Sequence, residues 1–83
     1  MIKYKELKIG DVFYEYGSFS AVRKFKVIEE PTTKLVEMLG NDLTQWTWVG
    51  ESEDGVKVHF AVTEGLEHYG PKLSYSGDDY YVS

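Results

Sequence analysis

The sequence predicts one all-β domain over residues 1–83, a small antiparallel meander or barrel of the SH3-like or OB-like type with five to six strands. Three observations carry this. Residues 45–51 and 56–63 alternate between apolar and polar side chains and are rich in aromatic and β-branched types, which is the pattern of half-buried strands. Between them lies Glu53-Asp54-Gly55, a strong short-range hairpin signal. Other strand-like runs recur at a spacing of roughly 8–14 residues, the rhythm of a sandwich or barrel, and closure would remove edges open to mispairing.

Residues 3–9 read as a lead-in whose Lys3, Lys5 and Lys8 face solvent while Tyr4, Leu7 and Ile9 dock. Gly10-Asp11 punctuates the chain, residues 12–16 form a strand by composition, and Gly17-Ser18 closes it. Residues 20–30 follow as a longer strand, with Arg23, Phe25 and Val27 on one face and Lys24, Lys26 and Ile28 on the other. Pro31 is expected to end it, because proline cannot donate to a ladder. Residues 33–39 fit either a continuing strand or two helical turns between a Thr32 or Thr33 cap and Gly40. Seven residues are short for a helix. Strand is the preferred reading, leaving room for one short helical turn, and Gly40-Asn41-Asp42 is expected to turn the chain into the central hairpin.

The register of that hairpin follows from face matching. A two-residue Asp54-Gly55 loop would place Trp46 and Trp48 opposite the face of Val56, Val58, Phe60 and Val62. A three-residue Glu53-Asp54-Gly55 loop instead pairs Trp48 with Phe60, Trp46 with Val62 and Gly50 with Val58, so the large apolar groups share one face. Glu51 then meets Lys57, Val49 meets His59 and Thr47 meets Ala61 on the outward side. Since a one-residue slip turns every side chain to the wrong face, and Gly55 supplies the left-handed residue that such loops need, the three-residue loop is predicted. Beyond it, residues 64–71 read as a longer ordered loop. Residues 72–75 and 80–82 bracket Ser76-Gly77-Asp78-Asp79 as a final hairpin.

Composition bounds the function. Thirteen aromatic residues, four Phe, two Trp and seven Tyr, can fill a small core, each burying roughly 150–250 Å². There is no cysteine, which excludes disulfides and cysteine-based metal or redox chemistry. No apolar stretch is long enough to span a bilayer or act as a signal h-region, so a cytoplasmic protein is expected. The net charge of −5 is uneven: residues 1–41 carry seven basic and six acidic side chains, residues 42–83 two basic and eight acidic. Such a surface repels phosphate and attracts basic partners.

No nucleophile elbow, phosphate-binding glycine loop or zinc-binding His-Glu-x-x-His occurs. His59 is predicted outward with no sequence-near acid, and His68 lies beside Glu64 and Glu67 at a spacing that serves no known mechanism. Neither a metal nor another cofactor is expected, and the expectation is a non-catalytic protein. The tyrosines are the best lead. Tyr69, Tyr75, Tyr80 and Tyr81 cluster near the C-terminus, where they either cap the barrel or form a binding patch. Read as a patch, they are the anchors of a protein-binding module, with Glu64, Glu67, Asp78 and Asp79 as a rim that steers a basic surface of a larger protein onto it. Small inhibitors and accessory proteins of phages and mobile elements have this build. One alternative is weak single-stranded nucleic-acid binding through Tyr14, Tyr16, Arg23, Lys24 and Lys26. A second is an SH3-like peptide-binding module.

Overall fold

The computed structural model describes residues 2–17 and 21–76. It is one five-stranded antiparallel sheet: β1 (Val12–Tyr16), β2 (Val22–Met38), β3 (Asn41–Ser52), β4 (Lys57–Thr63) and β5 (Leu73–Ser74), in the order β4-β3-β2-β1-β5. Four strands form a meander, and β5 returns to the free side of β1. Two 3-10 turns, Tyr4–Glu6 and Glu67–Tyr69, are the only helical segments among the described residues.

The central hairpin has the predicted register. Trp48 faces Phe60, Trp46 faces Val62, Gly50 faces Val58 and Glu51 faces Lys57. Gly55 adopts φ 82°, and Ser52 closes the loop by exchanging backbone hydrogen bonds with Gly55 and Val56, each 2.9 Å. Val49 departs from expectation: it lies on the outward side opposite His59, yet is buried at 5% exposure. It lies in the part of β3 that is paired on both sides, flanked by Glu29 on one ladder and His59 on the other.

The sheet rolls onto itself. β1 and β4 are three strand spacings apart, which would be roughly 14 Å in a flat sheet, yet the rings of Phe13 and Phe60 lie 5.0 Å apart, edge to face. Phe25 and Trp48 complete the cluster, with ring separations of 5.0 and 5.7 Å to Phe60. Curvature turns one face into a core of Phe13, Phe25, Val27, Trp48, Phe60, Val62 and Leu73. Gly50 sits beneath these rings and lacks the Cβ that would strike them.

The lead-in closes the concave side. Ile2, Tyr4 and Leu7 are buried, and Tyr4 stacks on Trp48 at 6.4 Å. Ile9, expected to dock, is 65% exposed, because the chain has by then turned at Lys8 to Asp11 to reach β1.

Pro31 does not end β2, and residues 33–38 continue it as strand. Register shifts between Val27 and Glu29 and between Glu29 and Thr32 mark bulges. Proline is tolerated there because a bulged residue owes the ladder no N–H. Beyond the second bulge, β2 and β3 form a two-stranded arm whose outer part, residues 34–38 against 41–45, runs past the reach of β1 and almost entirely past that of β4. Its turn is Leu39-Gly40, one residue earlier than expected, and both residues have positive φ, 53° and 79°. That is the geometry of a two-residue type I′ hairpin. The proposed strand at residues 80–82 lies outside the described residues; Leu73–Ser74 pairs with β1.

Candidate functional site

Of the residues singled out as a binding patch, Tyr80, Tyr81, Asp78 and Asp79 lie outside the described residues. Tyr69 ends the second 3-10 turn, is 78% exposed, and its ring lies 4.0 Å from that of His68. Tyr75 is half exposed, and its hydroxyl accepts a hydrogen bond of 3.2 Å from the Lys3 backbone N–H. The structure therefore leaves both rings facing water rather than filling the core.

Glu64 and Glu67 are not free rim charges. Glu64 is salt-bridged to Lys5, and this ion pair is the main reason its carboxyl titrates below the usual range. Glu67 accepts hydrogen bonds from the Tyr4 hydroxyl at 2.9 Å and the Gly65 N–H at 3.1 Å. Backbone hydrogen bonding, then the Tyr4 bond, lowers its titration as well. Burial, reinforced by Glu67, pushes the Tyr4 hydroxyl up to about 12. Together the two acids bind the lead-in to the loop after β4. Sequence spacing could not show this, since Tyr4 and Glu67 are 63 residues apart.

The arm begins at the same place. Glu64 donates its N–H to the Thr44 carbonyl at 2.9 Å, and Met38 Sδ lies 4.0 Å from Thr63 Oγ1. Out along the arm, Leu35 is 72% and Leu39 83% exposed. These two residues were missed by sequence reasoning. The available signal was a leucine before Gly40 at a hairpin tip, where asparagine or aspartate is usual.

The residues of the nucleic-acid alternative are dispersed in role. Tyr16 is buried, Arg23 binds Glu15 at 2.6 Å, and Lys24 lies 3.9 Å from Glu53. Tyr14, Val22, Arg23, Lys24, Glu53 and Val58 line part of a groove of about 570 Å³ between the start of β2 and the central hairpin loop. His59 and His68 stand on β4 and in the second 3-10 turn, and no group of three His, Asp or Glu side chains among the described residues is placed to hold a metal. Among the described residues, no helix is long and apolar enough to cross a membrane. No family model, curated protein or solved structure matches the chain.

Proposed function

We propose that this chain is a non-catalytic protein-binding module, an inhibitor or accessory protein that covers a basic surface of a larger protein. Leu39 is the observation that carries the reading. It stands at the tip of an arm whose outer part neither β1 nor β4 pairs with beyond Gln45, 83% exposed and at φ 53°. A left-handed conformation costs a residue with a Cβ roughly 1–2 kcal/mol, and the free protein recovers none of this by burying the side chain. Strain held at an exposed position is a reason to look for a ligand. Leu35, Tyr69 and Tyr75 add exposed apolar surface, and the net charge of −5 favours encounter with a basic partner.

The SH3-like peptide-binding alternative draws on the groove beside Tyr14, Lys24 and Glu53, which has the size of a small ligand site. The nucleic-acid reading draws less, because Arg23 and Lys24 already have acidic neighbours. A comparative capture from host-cell extract tests the proposal. A partner retained by the wild-type chain should be lost with Leu39→Asn and weakened with Tyr69→Ala, and high salt should slow its association. Equal retention by Leu39→Asn would remove the arm from the interface. Tight binding of a labelled oligonucleotide at physiological salt would replace the proposal with the nucleic-acid reading.

A further inference from the structure

The Lys5 ammonium occupies a shaped environment. Its Nζ is 5.9 Å from the centroid of the Tyr4 ring and 5.8 Å from that of Trp46, and it is salt-bridged to Glu64. The two rings meet at 73° with centroids 6.3 Å apart, so they form two walls of a corner with a carboxylate at its mouth. Two aromatic faces and one acid are the elements with which proteins recognise alkylammonium groups.

We infer that Tyr4, Trp46 and Glu64 form a binding site for the lysine or methylated lysine side chain of a partner, and that Lys5 occupies it in the isolated chain. Lys5 is held weakly. Its ring distances are at the outer end of the roughly 6 Å range over which cation–π attraction counts, and exposed ion pairs contribute little. A methylated ammonium is bulkier and less strongly hydrated, so it would fill the corner better at a smaller cost of desolvation. Glu67, whose charge acts on the Glu64 carboxylate, adds negative potential. This disfavours a phosphocholine headgroup, whose phosphate would be repelled, and selects a lysyl side chain. The inference deepens the reading of the chain as a partner of basic proteins and rests on it for biological meaning, but the site can be tested without any partner.

The test is a tryptophan-fluorescence titration of the full chain with N-acetyl-trimethyllysine amide, against sodium chloride at matched ionic strength and against phosphocholine. Lys5→Ala should show a saturable change a few-fold tighter than wild type, because the internal competitor, though weakly held, is gone. Adding Glu64→Gln to Lys5→Ala should weaken it a few-fold, and phosphocholine should bind more weakly than the lysine derivative. Lys5→Gln serves as a second unblocked variant should Lys5→Ala not melt cooperatively. No saturable response above the salt control in a cooperatively melting Lys5 variant would overturn the inference. So would an equal response in the Glu64→Gln double variant. Either result would leave the capture experiment with Leu39→Asn to decide the protein-binding reading on its own.

Discussion

A methyl group on Gly50 would stand 3.0 Å from Phe13 Cζ and 3.1 Å from both Phe25 Cβ and Phe60 Cε2. All three belong to packed core side chains that cannot move independently, so Gly50→Ala is expected to cost about 1–3 kcal/mol as an overpacking substitution. Urea unfolding would read this as a lower midpoint with an unchanged slope. Tyr4 makes a complementary case. Its ring packs on Trp48 while its hydroxyl donates to Glu67, so Tyr4→Phe keeps the packing and removes the bond. A loss of about 1 kcal/mol is expected, and a much smaller loss would mean that the lead-in is held by Ile2 and Leu7 alone.

At the scale of elements, the central hairpin and the arm are governed by different terms. The hairpin is held by its inward face: Trp48→Ala or Phe60→Ala should cost roughly 3–5 kcal/mol, a large part of the stability of a small domain. Native-like melting of either variant would contradict the burial of these rings. Gly55→Val should also destabilise it, because a β-branched residue resists φ 82°. The arm depends on its turn. Leu39→Asn places a residue tolerant of positive φ at the tip and should stabilise the protein by about 1 kcal/mol, seen as a higher Tm. If the arm is a binding element, the same substitution weakens capture of the partner, so stability and binding move in opposite directions.

For the molecule as a whole, the contacts between the lead-in and the loop after β4 set a pH window. Glu64 and Glu67 titrate below their ordinary value of 4.5 when folded. Their contribution is therefore complete above about pH 4.5 and is lost as pH falls through the lowered folded values. Tyr4 shifts the other way, from 10 to about 12. The folded state favours its neutral form, so that contribution is complete below pH 10 and disappears between pH 10 and about 12. A plot of Tm against pH should fall at both ends. Tyr4→Phe should flatten the alkaline limb, and Glu67→Gln should flatten part of the acid limb.

By itself the sequence determined the strand content, the central hairpin and its register, because alternation, the Glu53-Asp54-Gly55 loop and the matching of Trp48 with Phe60 are local or nearly local facts. It also favoured strand over helix for residues 33–39, because seven residues are short for a helix, and β2 does run on through Met38. Tertiary structure alone decided how far the strands reach and what the charges do. Pro31 stays within β2 because a bulge frees it from donating, and that bulge forms only against β3. Glu64 and Glu67 look like surface acids along the chain, but rolling of the sheet brings the lead-in across the concave side and gives them Lys5 and Tyr4 as partners. Pairings across some 60 residues leave no periodic trace in a sequence. They are fixed by the curvature of the sheet, which depends on the absence of a side chain at Gly50 beneath the rings of Phe13, Phe25 and Phe60.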